Sequence, residues 1–162
     1  MIDTDNSSFR VTFQPGLPGV GLSIRGVTGT FTATLDERGQ PDLDQPVEGE
    51  FAMTAHDLDL GHPLLGRVVG AFLDGDDDVP VHGWMGDIEP LGDDRYRYGI
   101  RLHLRGADHE IAAEGRTTLD PDGSLRVHGT CRVDPRDVGV PIPRFIPLRC
   151  LTTWDLRVLP EP

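Results

Sequence analysis

The alternation of apolar and polar positions is clearest over residues 96–134, YRYGIRLHLRGADHEIAAEGRTTLDPDGSLRVHGTCRVD. Tyr96, Tyr98, Ile100, Leu102 and Leu104 share one face of a first run, against Arg95, Arg97, Arg101, His103 and Arg105. Ile111, Ala113, Gly115, Thr117 and Leu119 share a face of the second, and Leu125, Val127, Gly129, Cys131 and Val133 of the third. Successive side chains on a strand point to opposite faces, so this period of two predicts half-buried strands. Gly106 to His109 and Asp120 to Ser124 carry turn chemistry and are short enough for hairpins. The pattern predicts a three-stranded antiparallel meander with one wet face, whose Arg and Glu side chains are placed for cross-strand pairs.

The same period recurs earlier in the chain. Phe9, Val11 and Phe13 alternate with polar residues, as do Val20, Leu22 and Ile24, then Phe31, Ala33 and Leu35, then Val47, Gly49, Phe51 and Met53. Leu64, Leu65, Val68, Val69, Phe72 and Leu73 instead recur at helical spacing behind Pro63, which predicts one short helix. Val79, Val81 and Gly83 begin another strand that carries Trp84 and Ile88. Four prolines between Asp134 and Pro147 preclude ladder pairing over much of that stretch. Its Val138, Val140, Ile142, Phe145 and Ile146 are nevertheless too apolar for a free loop, so it is expected to lie as a flap against apolar surface. Residues 148–158 alternate again. Eight or nine strands with short connections predict an all-β fold, an antiparallel barrel or sandwich, of which an antiparallel closed barrel of about eight strands with one short α-helix is the form expected. At 162 residues, without linker or repeat, a single domain over 1–162 is expected.

Composition narrows the function. The net charge is −12, which argues against a nucleic-acid partner or an anionic membrane. No apolar run reaches the roughly 20 residues of a spanning helix. The start MIDTDNSSFRV lacks the basic head and apolar run of a secretory signal, so a cytoplasmic location is expected. Cys131 and Cys150 fall on apolar strand faces, where a free thiol behaves as a small hydrophobe; a disulfide between the two strands is the alternative.

Several motifs together resemble the YceI-like, polyisoprenoid-binding family. Ile2, Asp3, Ser7, Val11 and Phe13 match the family's opening pattern, and Gly29-Thr30-Phe31 matches a strand start. Leu104-Arg105-Gly106-Ala107 stands at a characteristic turn, and Arg136-Asp137-Val138-Gly139-Val140 at the closing one. The central segment departs from the family, with His62-Pro63-Leu64-Leu65-Gly66-Arg67 and Phe72-Leu73-Asp74-Gly75 in its place. The resemblance implies a lipocalin-like barrel whose tunnel holds an isoprenoid or other lipid-like amphiphile, without catalysis and without a cofactor. Candidate lining residues are Phe9, Phe13, Leu22, Phe31, Phe51, Met53, Ile100, Leu102, Leu104, Val127, Cys131 and Trp154. Trp84, the helix residues Leu65, Val69 and Phe72, and the flap residues Ile142 and Phe145 join them. The bland alternative is that these side chains simply fill the barrel.

Polar constellations are sparse. His56-Asp57, Asp59 and His62 match no metal-ligand spacing. Asp74 to Asp78 fails the calcium-loop pattern, with Val79 where that loop needs Gly and Met85 where it needs Glu. A phosphate loop, a dinucleotide fingerprint and a nucleophile elbow are all lacking. A second reading is a small barrel enzyme that cyclises or isomerises an apolar substrate, using Tyr96, Tyr98, Thr117, His56 or Asp57. A third is a barrel that assembles with itself as a homodimer or with another partner.

Overall fold

The computed structural model describes residues 1–14, 21–54, 58–59, 81–104, 106–141, 143–145 and 147–160. The predicted helix over 64–73, the His56–His62 cluster apart from the backbone of Asp59, and the Asp74–Asp78 run lie outside the described residues.

Among the described residues ten strands form one antiparallel sheet: β1 (Ser8–Gln14), β2 (Gly21–Ile24), β3 (Thr28–Thr32), β4 (Glu48–Met53), β5 (Leu58–Asp59), β6 (Val81–Gly92), β7 (Arg95–Leu104), β8 (Ala107–Leu119), β9 (Leu125–Val133) and β10 (Arg149–Val158). Their order is β3-β4-β6-β7-β8-β9-β10-β1-β2-β5. The meander is where the alternation placed it. Leu104 pairs with Ala107, and Leu119 pairs with Leu125 across Asp120 to Ser124. The strand expected over residues 31–35 stops at Thr32; Leu35 makes a lone bridge to Pro41.

The sheet is all-β and curled, yet it is not the closed eight-stranded barrel expected. Among the described residues β3 and β5 are its edges and do not pair with each other. Curling is evident because β1 and β4, six places apart in the strand order, bring Phe9 and Phe51 to 5.9 Å between ring centroids. At one end the N-terminus ties the curl together. The Ile2 N–H donates to the Gly29 carbonyl of β3 at 2.9 Å, while Ile2 also bridges Val158 of β10.

The inner face is one continuous apolar cluster that includes Phe9, Tyr98, Ile100, Val127, Cys131, Trp154 and Leu156. Glycines opposite large aromatics make it fit. Phe51 pairs with Gly83, and Trp154 with Gly129. A Cβ on Gly83 would stand 2.1 Å from Phe51 Cζ, and one on Gly129 2.1 Å from Trp154 Cζ2. Each ring therefore lies flat over a strand that presents no side chain. On the wet face, Arg97 reaches Glu114 at 3.9 Å and Glu89 at 3.6 Å. Exposed pairs of this kind contribute about 0–1 kcal/mol each and serve register more than stability.

The family-like opening residues have a structural task. Asp3 caps the 3-10 turn Thr4–Asn6 and accepts from Asn6 Nδ2 at 2.9 Å. Arg157 of β10 then ties two segments, the N-terminal stretch and the turn between β8 and β9, to its own strand. Its backbone N–H donates to Ser7 Oγ at 2.9 Å, and its guanidinium donates to Asp3 at 3.3 Å, to Ser124 Oγ at 3.1 Å and to Asp122. Asp122 also accepts from the Ser124 hydroxyl at 2.6 Å and from its backbone N–H at 3.0 Å. The Ser124 bonds, with Arg157 adding to them, hold the Asp122 carboxyl down at about 2 from an ordinary 3.8. A depressed carboxyl stabilises the fold fully above its unfolded value and ceases to do so as pH falls through its folded value. Stability is thus expected to drop between about pH 4 and pH 2. Urea midpoints measured across that range should fall more steeply for the native chain than for Asp122→Asn.

Candidate functional site

The three rings Phe9, Phe51 and Trp154 divide the interior. Phe9 lies 5.9 Å from Phe51 and 5.9 Å from Trp154, the latter pair stacked at 27°. Such pairs contribute about 0.5–1.5 kcal/mol beyond their burial. On one side of this layer the interior is solid. There the early residues of β7 (Tyr96, Tyr98), the late residues of β8 (Ala113, Thr117), the start of β9 (Leu125, Val127) and the end of β10 (Leu156, Val158) are all buried. The Tyr96 hydroxyl donates to Gln40 Oε1 at 3.1 Å. The Tyr98 and Thr117 hydroxyls are buried without a partner in hydrogen-bond geometry among the described residues. Burial pushes the Tyr98 phenol up, with the nearby Thr117 hydroxyl opposing the shift.

On the other side the interior is hollow. A cavity of about 170 Å³ opens between the late residues of β1, β4, β7 and β9, the early residues of β6, β8 and β10, and Val138 of the 3-10 turn Pro135–Val138. That turn is built by its sequence. Asp134 caps it, Pro135 supplies its fixed φ, and Gly139 ends it at φ 80°, a left-handed conformation that glycine adopts without strain. Val138 and Val140 are thereby buried against Leu104.

Of the residues expected to line a tunnel, the structure brings Phe9, Phe13, Phe51, Met53, Ile100, Leu102, Leu104, Cys131 and Trp154 together around this cavity. Val127 is fully buried on the solid side, and Phe31 packs against the core from β3. Leu22 pairs with Val11, but its side chain, like Leu65, Val69, Phe72 and Ile142, lies outside the described residues. Two expectations are overturned. Trp84 faces outward: Gly83 and Met85 hold the inner positions of β6, so strand parity turns Trp84 to the wet face. There it stacks on His82 at 6.1 Å and carries the Arg101 guanidinium 5.3 Å above its ring. Phe145 is 84% exposed instead of packed under the flap, because Pro143 and Pro147 around it leave the chain nothing to pair with. The residue reading missed Val11, Ile24, Val81, Ile111, Val133, Val138, Cys150 and Thr152 as lining. Val11, Ile24, Val133, Cys150 and Thr152 share parity with lining residues that were recognised on their own strands.

The described lining is chemically quiet. It carries one hydroxyl, Thr152, and two thiols, Cys131 and Cys150, both free. Burial pushes each thiol up to about 11. Neither offers a nucleophile or base at neutral pH, since only the thiolate reacts. Both cysteines are expected to resist a thiol-reactive dye at pH 7.5 in the folded protein and to react promptly in denaturant. Prompt labelling without denaturant would contradict the burial. Among the described residues no three His, Cys, Asp or Glu side chains are grouped to hold a metal ion, and no helix is long and apolar enough to cross a membrane.

A curled antiparallel sheet around an apolar cavity, tied at one end by its own N-terminus, defines a barrel-like all-β fold. Within that class the chain has the YceI-like fold, and the likeness seen in its motifs is borne out at the level of structure. It superposes on BcnA of Burkholderia cenocepacia with a TM-score of 0.79 at 10% identity, over 98% of this chain and 100% of that one. The YceI protein of Campylobacter jejuni gives 0.67 at 7% identity, over 90% and 88%. A polyisoprenoid-binding domain from Saccharophagus degradans gives 0.66 at 10% identity, over 98% and 97%. No family model matches the chain, and no curated protein matches it by sequence.

Proposed function

We propose that the chain binds a lipid-like amphiphile of isoprenoid or fatty-acyl type in the hollow end of its barrel, as a carrier without catalysis. The observation that carries this reading is the cavity itself, walled almost wholly by aliphatic and aromatic side chains and thiols. An apolar-lined void of about 150 Å³ stays dry and accepts benzene. The described cavity is of that size, enough for one branched five-carbon unit of a chain. Burying five carbons is worth about 4 kcal/mol at ~0.8 kcal/mol per CH₂. The likeness to a polyisoprenoid-binding domain supports the same reading.

The test begins with untreated purified protein, extracted with organic solvent and analysed by mass spectrometry beside a blank. A stoichiometric apolar compound is the expected result and names the ligand class. A clean extract, followed by no saturable uptake of farnesol or palmitate in calorimetry, would end the binding reading.

A further inference from the structure

The cavity wall carries one hydroxyl, and its place in the sheet is fixed. Thr152 of β10 stands two residues from Cys150 and two from Trp154, and it pairs with Val11 of β1 and Cys131 of β9. All four neighbours line the cavity, as Thr152 itself does, so strand parity turns its side chain inward with theirs. The adjoining row, Phe9, Trp154 and Gly129, contains two of the rings of the aromatic layer. The hydroxyl therefore lies one row away from that layer, on its hollow side.

Little on the wall can satisfy this hydroxyl. It lies close enough to the Cys131 thiol to oppose part of the upward shift that burial imposes there. A protonated thiol is a weak hydrogen-bond partner, so the O–H keeps its capacity to donate. A hydroxyl held away from water without a good partner is costly. Among the described residues the lining holds no Arg, Lys or His that could meet an anion.

We propose that Thr152 is the specificity-determining residue of the cavity, its hydroxyl donating a hydrogen bond to a neutral oxygen, a carbonyl or a hydroxyl, on the part of the ligand that enters. This rests on the binding reading above and narrows it. A carboxylate or phosphate in the same place would be a buried charge without a counter-ion, so an anionic end stays outside while a neutral one goes in. A hydrocarbon of the same shape leaves the hydroxyl unmatched. Selection of this kind works by desolvation and not by shape.

The experiment uses cyclohexanone and methylcyclohexane, rings of the size such a cavity accepts, one with a carbonyl oxygen where the other has a methyl group. Their affinities are measured for the native protein, for Thr152→Val, which keeps the shape and loses the hydroxyl, and for Thr152→Ser, which keeps the hydroxyl. The affinity for the ketone relative to the hydrocarbon is expected to fall roughly fivefold in Thr152→Val, the worth of one neutral hydrogen bond, and to recover in Thr152→Ser. The infrared carbonyl stretch of bound cyclohexanone is a readout that altered packing alone would not move. It should be lowered in the native protein and in Thr152→Ser, and return upward in Thr152→Val. Cyclohexanecarboxylate at neutral pH should fail to displace the ketone. An unchanged affinity ratio or an unchanged stretch in Thr152→Val, or displacement by the carboxylate at equal affinity, overturns the role of Thr152 and leaves the cavity reading intact. Binding of neither ring overturns both.

Discussion

Gly129→Ala is expected to destabilise the fold by about 3 kcal/mol, the upper range for overpacking a close-packed interior. A methyl group there would stand 2.1 Å from Trp154 Cζ2 and 2.2 Å from Cε2. The indole is stacked on Phe9, which in turn meets Phe51. The strain would therefore pass along the whole aromatic layer. Gly86→Ala, where a new Cβ meets nothing within 4 Å, should change stability by less than about 0.5 kcal/mol. Urea unfolding of both variants checks this. The decisive comparison repeats Gly129→Ala in a Trp154→Leu background, where its cost should shrink. The same cost in both backgrounds would show that the indole is not what the methyl group meets.

Leu102→Arg is expected to reduce uptake of an apolar ligand by roughly a hundredfold or more, because a guanidinium brought into a dry cavity must either be desolvated or occupy the ligand's place. Leu102 is half-buried at the rim, so the long arginine stem can lie along the wall with its head in water and the chain should still fold. Arg132→Ala, on the exposed face of β9, is the matched control and should bind as the native protein does. Arg126 would be a poor control despite its outward position, since it pairs with Asp120 at 3.3 Å and Asp155 at 3.1 Å. A similar loss in Leu102→Arg and Arg132→Ala, with circular dichroism unchanged in both, would place the ligand somewhere other than the cavity.

Period-two alternation made the meander, β1, β4 and β10 legible, because each has one face in the core and one in water. It specified which face a residue occupies but not how the interior is filled at that height. Val127 and Cys131 sit on the same face of the same strand, yet one is in the solid half and the other lines the cavity. Closure was illegible for a different reason. Whether β3 meets β5 depends on a pairing between distant edges, to which no local pattern speaks. Trp84 was misplaced by its size. Gly83 looks like a blank inner position, when it is the space that Phe51 occupies from the neighbouring strand. The apolar flap misled in the same direction, since Phe145 is as hydrophobic as a core residue but stands among prolines that hold it out.

The aromatic layer has a consequence for how such a protein changes over generations. Fully packed residues such as Tyr98, Val127 and Leu156 lie on one side of it, and many of those that line the cavity, such as Leu102, Ile111 and Val133, lie on the other. Drift on the cavity side can alter its shape without eroding the half that is solidly packed. A lineage built this way is free to reshape the cavity one substitution at a time. Structures sharing 7% to 10% of their residues with this chain and keeping its shape are what that freedom would leave behind.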